Sequence, residues 1–244
     1  GAGFSGRSAA LKLAKSGASG VVIDEERGSG KASGRNGGHV NNGLAGNYGM
    51  ACDKLGVATA ARLYKVLNRA VDTVERIVTE NAIDCHFRRC GKLKLASRES
   101  HMASLRADQA RIALDVDPDS RLLEANELGD EIGSSRFAGG VLYPHSGQMH
   151  MGKFGIGLAN SVLKAGGQIF ENTPMTALRR EGKITRVTTP HGVIDAGAVL
   201  LATGTSRHAP SYFRKRIMPV GSFIVATEPL DDATVKSIMP GHRN

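Results

Sequence analysis

The first residues of the chain carry a glycine pattern that is typical of nucleotide-binding turns. Gly1, Gly3 and Gly6 form a G-x-G-x-x-G pattern, and an apolar segment with helical spacing follows it directly. In a dinucleotide fold the first glycine makes a tight turn, the second lets the backbone approach a pyrophosphate, and the third lets the helix pack closely on the sheet. The N–H groups at the start of that helix are then available to phosphate oxygens. The pattern therefore predicts a dinucleotide site at this turn.

An acidic residue follows at the position that such a site requires. The apolar run of Val21, Val22 and Ile23 ends at Asp24, which is 18 residues after Gly6. Dinucleotide folds place an acid at the end of their second strand, where it binds ribose hydroxyls. We therefore expect Asp24 to bind a ribose; the alternative is a solvated surface carboxylate.

A second glycine-rich segment, residues 28–39, comes directly after the acid and is too long and too rich in glycine for a simple connection. Glycines at this density let a backbone lie against a flat or charged ligand, and Arg35 and Asn36 can supply polar contacts. We refer to residues 28–39 as the second glycine segment. A flexible surface loop is the alternative interpretation.

The remaining periodicity predicts the elements that position these residues. Helical spacing predicts helices over about 5–15, 57–83, 98–114, 122–132 and 153–165. Short apolar or alternating segments predict strands over about 20–24, 92–96, 139–144, 168–171, 175–180, 184–189 and 193–195. Residues 198–204 form a continuous apolar run that ends on a glycine, which predicts a buried parallel strand whose carboxyl end faces a ligand.

Composition and charge exclude several classes of protein. A chain of 244 residues can bury a core as one large or two small domains. It has no run of 18 apolar residues to span a bilayer and no leading signal segment, so we expect a cytoplasmic protein with no membrane span. The three cysteines, Cys52, Cys85 and Cys90, lack paired metal spacing, which favours a reducing compartment and argues against a structural metal.

The net charge of +9 could attract nucleic acid or an acidic ligand. However, aromatic residues make up only 5% of the chain and there is no Trp, so a platform for stacked bases is poorly supported. We therefore interpret the basic residues as a solvated face and expect no nucleic-acid partner.

Four motifs together resemble the flavoprotein family of amino-acid and amine oxidases with a D-amino-acid oxidase type FAD domain. They are the opening glycine pattern with Asp24, the Ala-Ser-Gly-Arg-Asn-Gly-Gly segment at 32–38, the Ala-Thr-Gly at 202–204, and the Met-Pro-Val-Gly at 218–221 that leads to Thr-Glu-Pro-Leu at 227–230. Within the family the likeness is greatest to gamma-glutamylputrescine oxidase-like members. The motifs extend over almost the whole chain.

The resemblance implies an α/β fold in two parts. The first is a Rossmann-like parallel sheet that binds FAD, here without its first strand, and the second is a substrate domain with a mostly antiparallel sheet. The FAD-binding domain would comprise residues 1–80 and 151–208, and the substrate domain residues 81–150 and 209–244. Members of the family continue well beyond this length. A parallel sheet that lacks a central strand loses much of its stability, so we expect this chain to retain FAD poorly or not at all.

The resemblance also implies roles for individual residues. Gly1, Gly3 and Gly6 would hold the FAD pyrophosphate, and Asp24 would bind the adenosine ribose. The segment that passes beside the flavin would include Ser33, Arg35, Asn36, Gly37 and Gly38, while Met175 would bind adenine through its backbone and Ala202, Thr203 and Gly204 would close against the nucleotide. His39 is the candidate catalytic residue, because it follows the glycines that pass the flavin ring; an ordinary surface histidine is the alternative.

The implied reaction is oxidation of the C–N bond of a small-molecule amine or amino acid, with gamma-glutamylputrescine among the candidate substrates. A hydride equivalent would pass to the flavin, water would hydrolyse the resulting imine, and oxygen would reoxidise the flavin. Three alternatives stay open: an NAD-dependent dehydrogenase, for which the first 24 residues alone would suffice; a basic binding module without activity; and an inactive fragment of the oxidase.

Overall fold

A computed structural model describes residues 1–244. The chain forms two compact units. Unit 1 comprises Gly1–Gly37, Asn81–Cys85 and His150–Val225, and unit 2 comprises Gly38–Glu80, His86–Met149 and Ala226–Asn244. Residues 38–80 thus cluster with unit 2. Which segments make up the FAD-binding and substrate domains concerns function and stays a prediction.

Ten strands and seven α-helices make up the two units. Strands β1 to β10 span Val21–Ile23, His39–Val40, Lys92–Ala96, Arg121–Glu124, Gly139–Tyr143, Gly147–Gln148, Gln168–Phe170, Ala177–Glu181, Ile184–Thr189 and Gly192–Ala196. Helices α1 to α7 span Phe4–Lys15, Tyr48–Leu55, Val57–Glu80, Glu99–Asp115, Met151–Lys164, Ser211–Arg214 and Asp232–Ile238. None of the helices is long and apolar enough to cross a bilayer.

Unit 1 contains a parallel strand pair, an antiparallel meander and two packed helices. Strand β1 pairs with β7 in parallel, and β8, β9 and β10 form an antiparallel sheet in chain order. Helices α1 and α5 pack against each other, and the rings of Phe4 and Phe154 meet edge-on with centroids 5.1 Å apart. The contact between these rings therefore holds the first residue of α1 against α5.

Unit 2 is built on an antiparallel sheet in the order β3, β5, β4. Successive residues of β5 face opposite sides, as the pleat requires. Val141 and Tyr143 join a core with residues of α2, α3 and α4, whereas Leu142 joins a second cluster with Leu123 and Leu128. The predicted combination of a parallel and an antiparallel sheet is confirmed.

Unit 2 also buries polar groups. Asn42 is 3% exposed, and its side chain donates to Asn68 Oδ1 and accepts from Ser146 Oγ, each at 2.9 Å. The Lys92 ammonium donates to the Asn42 carbonyl at 3.0 Å and lies 4.7 Å from the centre of the Tyr143 ring. Burial lowers the pKa of Lys92 to about 8. Lys92 is thus a half-buried titratable group that packs against the buried polar side chains of unit 2.

Two predicted elements are wrong. Residues 122–132 do not form a helix: β4 pairs with β5, and a short 3₁₀ helix follows over Ala125–Asp130. Pairing with β5 buries Leu123 completely, and this tertiary contact outweighs local helical spacing. Residues 198–204 form no strand, and Leu200 is 65% exposed. A strand needs a hydrogen-bonded neighbour, and none of the ten strands pairs with this segment.

Helix α2, which the sequence pattern did not indicate, is a further difference. Its N-cap is Asn47, whose side chain accepts the Met50 N–H at 3.2 Å. The eight-residue helix is too short for a clear period, and its burial of Tyr48 and Cys52 depends on neighbouring helices.

Candidate functional site

The opening turn packs tightly against the segment that contains Ala202. A Cβ atom on Gly1 would overlap the carbonyl oxygen of Ala202 and stand 3.3 Å from Thr203 Cα. A Cβ atom on Gly6 would in turn overlap the carbonyl oxygen of Gly1. Glycine is thus required at both positions by close backbone approach. The structure brings the opening turn and the Ala-Thr segment together, as a shared nucleotide site requires.

Helix α1 begins at this turn with its N-terminal N–H groups open to partners from outside the helix. Its N-cap, Gly3, has an extended conformation and no side chain to cap the first turn. The Phe4 N–H donates to Ser33 Oγ at 3.2 Å, and a Cβ on Gly3 would stand only 2.9 Å from the same oxygen. The second glycine segment therefore crosses the N-terminus of α1, where a helix attracts anions.

The carboxylate of Asp24 lies beside the same turn. Its Oδ2 accepts the Ala2 N–H at 2.5 Å, and its Oδ1 accepts the Glu26 N–H at 3.0 Å. The Asp24 carbonyl also accepts the Thr173 N–H at 2.6 Å. These bonds fix a half-buried carboxylate at the end of β1, within hydrogen-bond distance of the turn that would hold a diphosphate.

The other residues singled out in the sequence are distributed differently. Arg35, Asn36 and Gly37 are exposed in unit 1, and the Asn36 amide donates within its own segment, to the carbonyls of Ala32 and Ser33. Met175 is half-buried in unit 1, just before β8, and Gly204 is exposed with a φ of 53°.

Gly38 and His39 belong to unit 2. Gly38 has a φ of 78°, and a Cβ there would overlap the Met149 carbonyl, so a glycine is required. His39 is exposed on β2, paired with Gln148 of β6. A catalytic role for His39 stays a prediction.

Glu25 is a site residue that the sequence reasoning missed. Its side chain is only 15% exposed, pairs with the Lys31 ammonium and accepts from Ser206 Oγ at 2.8 Å. Burial raises the pKa of Glu25, but the hydrogen bonds from Lys31 and Ser206 outweigh burial and leave the pKa below its ordinary value. Glu25 thereby joins the second glycine segment to the chain that follows Ala202. Its position directly after Asp24 was the available signal.

Arg7 was missed as well. It follows the third glycine, is 2% exposed, and donates from Nη1 to Ser29 Oγ at 3.0 Å and to the Gly155 carbonyl at 2.7 Å. Burial lowers the pKa of Arg7, although Glu171 opposes this effect. The signal for it was its position four residues before Leu11, which places a charge on the same helix face as an apolar residue.

Comparison with known proteins covers almost the whole chain. Residues 1–243 match the protein family described as DAO, FAD dependent oxidoreductase. The chain is 29% identical to the oxidoreductase OrdL of Haemophilus influenzae and 28% identical to gamma-glutamylputrescine oxidoreductase of Escherichia coli K12, over 98% of its own length in each case. It spans 57% and 56% of these relatives, or little more than half of each.

A solved structure shares the fold. The crystal structure of glycine oxidase from Geobacillus kaustophilus matches with a TM-score of 0.69 at 20% sequence identity. The match covers 84% of this chain and 54% of the glycine oxidase chain. The α/β architecture inferred from the sequence is therefore that of known FAD-dependent oxidases.

Proposed function

Because this chain belongs to the DAO family of FAD-dependent oxidoreductases, we propose that it binds FAD in unit 1 and serves the oxidation of a C–N bond in an amine or amino acid. The observation that carries the proposal is the meeting of the opening turn with Asp24, Ser33 and Ala202 in unit 1. The turn and the helix N-terminus match the diphosphate of a dinucleotide and its negative charge, and the acid matches a ribose.

The residues present fit FAD. Because they lack a Cβ, the three turn glycines allow the close packing that shapes the opening turn, and the α1 N-terminus would receive the diphosphate. Asp24 would accept hydrogen bonds from the adenosine ribose. Met175, Thr203 and Gly204 would complete the adenosine side, and the second glycine segment would pass the flavin. When bound, FAD supplies the two-electron oxidant for an amine.

For the substrate we propose a small amine or amino acid. The relatives support this breadth: one is named for gamma-glutamylputrescine and the matching structure for glycine. Gamma-glutamylputrescine, and with it a place in putrescine breakdown, is our finer proposal, supported by the first of these names alone. Oxidation would yield an imine that water hydrolyses, and we propose oxygen as the final electron acceptor. Three free thiols support a reducing compartment such as the cytoplasm.

The cofactor test compares two flavins on the purified 244-residue chain. FAD and FMN share the flavin and one phosphate, but only FAD carries the adenosine ribose. The sequence alone predicts poor or no retention of FAD, but because the opening turn is assembled in unit 1 we expect weak, saturable FAD binding by fluorescence titration. We also expect Asp24→Asn to weaken FAD binding about tenfold and FMN binding less than twofold, since a hydrogen bond to a charged group contributes about 1.5–3 kcal/mol.

The matched control is Glu26→Gln, which neutralises a neighbouring carboxylate that is 54% exposed. It should bind both flavins as the wild type does. Failure of the wild type to bind FAD at any concentration, or binding of NAD⁺ in preference to FAD, would contradict the proposal. With FAD bound, amines and amino acids are then screened for peroxide formation in air and for reduction of an artificial acceptor dye.

A further inference from the structure

We propose that Arg7 is a positioning residue that fixes the second glycine segment beside the N-terminus of α1 and so prepares the site for a diphosphate. The proposal rests on the proposed FAD site and adds to it a residue outside the glycine pattern. The backbone N–H of Arg7 donates to the Gly3 carbonyl at 3.0 Å, as in any helix, whereas its guanidinium acts through the segment that crosses the turn.

The contacts of the guanidinium join three separate parts of unit 1. Nη1 donates to Ser29 Oγ at 3.0 Å and to the carbonyl of Gly155, in α5, at 2.7 Å. Nη2 lies 3.6 Å from Glu171 Oε1, and that same oxygen accepts the Gly28 N–H at 2.8 Å. One side chain thereby links the second glycine segment, α5 and the residue that follows β7.

Close packing leaves the segment little freedom around Arg7. A Cβ on Gly28 would overlap Nη2 and stand 3.2 Å from Ala2 Cβ, so Gly28 is wedged between Arg7 and the opening turn. A Cβ on Gly155 would stand 2.5 Å from Ser29 Oγ. Ser29 itself has a φ of 64°, in the left-handed region that non-glycine residues rarely adopt. The Arg7 bond holds Ser29 in this conformation.

Ser29, which Arg7 binds, is connected to the N-terminus of α1 through Gly34 and Ser33. A Cβ on Gly34 would overlap the Ser29 carbonyl, so residues 29 and 34 touch across a tight turn. Ser33, within that turn, accepts the Phe4 N–H through its Oγ. Fixing Ser29 therefore also fixes the hydroxyl that lies over the first turn of α1.

The charge of Arg7 favours an anionic ligand over a purely structural role. A buried guanidinium is costly, and apolar side chains usually stabilise a helix contact better. Here Nε is buried without any partner, and the nearest carboxylate, on Glu171, is 41% exposed. The incompletely neutralised charge follows the glycine turn directly and adds to the positive end of α1. A diphosphate bound at that end would benefit from this field.

The test uses ADP, which carries the diphosphate and adenosine without the flavin. Arg7→Leu removes both bonds and charge, whereas Arg7→Lys keeps the charge and can make one bond. Arg27→Leu is the matched control, since Arg27 is exposed and directly precedes the second glycine segment. Calorimetry gives ADP affinity, and hydrogen exchange of the ligand-free chain reports the order of residues 28–34.

We expect Arg7→Leu to weaken ADP binding at least tenfold and to raise exchange in residues 28–34 at least tenfold, with β8, β9 and β10 unchanged. Arg7→Lys should regain ADP affinity to within about threefold of the wild type, and Arg27→Leu should match the wild type. A merely structural role predicts faster exchange throughout unit 1 and no rescue by lysine. That pattern, or unchanged exchange and affinity in Arg7→Leu, overturns the proposal.

If Arg7→Leu does not fold, Ser29→Ala removes the bond from Nη1 to Ser29 Oγ and leaves the charge and the bond to the Gly155 carbonyl in place. It should raise exchange in residues 28–34 and weaken ADP binding about threefold, and no change in either would contradict the proposal. If the wild type binds neither ADP nor FAD, the proposed function fails. The exchange comparison between Arg7→Leu and the wild type still decides whether Arg7 positions the segment.

Discussion

Gly6→Ala sets two opposing effects against each other within the opening turn. In a helix interior, Ala is more favourable than Gly by about 1 kcal/mol. Against this, the new Cβ would overlap the Gly1 carbonyl oxygen, stand 3.1 Å from the Gly1 carbonyl carbon and lie 3.6 Å from Ala202 Cβ. The obstructing atoms are backbone, so relief requires a shift of the turn, and overpacking of this kind costs roughly 1–3 kcal/mol. Because the overlap is with backbone, the cost lies at the upper end of this range, about 2–3 kcal/mol, and after the gain of about 1 kcal/mol we expect a net loss of about 1–2 kcal/mol.

Urea unfolding of unit 1 measures this loss. With a slope of roughly 2–3 kcal/mol per molar urea, the midpoint should fall by about 0.3–1 M. FAD affinity should fall as well, because the shifted turn no longer offers the same N–H directions. Gly20→Ala is the control: a Cβ there meets no atom within 4 Å. It should be neutral or stabilising by about 0.4–1 kcal/mol. A Gly6→Ala chain as stable as Gly20→Ala would refute the steric argument.

Two further predictions concern unit 2. Burial lowers the pKa of Lys92 to about 8 in the fold, below the ordinary value of about 10.4 in the unfolded chain. Between pH 8 and 10 the unfolded chain therefore binds more protons than the folded chain. The unfolding free energy should rise with pH over this range by roughly 2–3 kcal/mol. Urea unfolding of Lys92→Met at pH 8 and pH 10 should not show this rise. Arg243 Nε lies 2.7 Å from Oε2 of the buried Glu131, and Arg243→Ala leaves that carboxylate without its partner. We expect the unfolding free energy, measured in urea, to fall by about 2–3 kcal/mol and to recover in part when Glu131→Gln is added. An unchanged urea midpoint in Arg243→Ala would contradict the buried pairing.

The fold was predictable where a period or a turn residue is local. The strand Lys92–Ala96 was predicted at its observed bounds, and α1 within one residue. Failures came where long-range pairing decides the structure. Leu122 and Leu123 lie in a stretch whose local pattern predicts a helix, yet they pair with β5 and form a strand. The apolar run at 198–204 has strand composition, but composition supplies no hydrogen-bonded neighbour.

The candidate site shows the same division. Asp24 and the glycines were identified because their spacing is a sequence property. Arg7 and Glu25 were missed because their importance comes from partners far along the chain: Gly155 for Arg7 and Ser206 for Glu25. The local signals, an acid directly after Asp24 and a charge four residues before Leu11, do not show which distant groups these side chains bind. Those partners become visible only once burial and contacts are known.

These distant partners also govern the order in which the molecule can assemble during synthesis. The opening turn is synthesised well before Ala202, on which its packing depends, and the bonds of Arg7 and Glu25 cross 148 and 181 residues. Contacts between residues so far apart in sequence slow folding, because the chain loses the entropy of closing a long loop before the stabilising contact forms. The opening turn must therefore stay without its packing partners until Ala202 has been translated, and meanwhile it is exposed to premature association with other nascent chains.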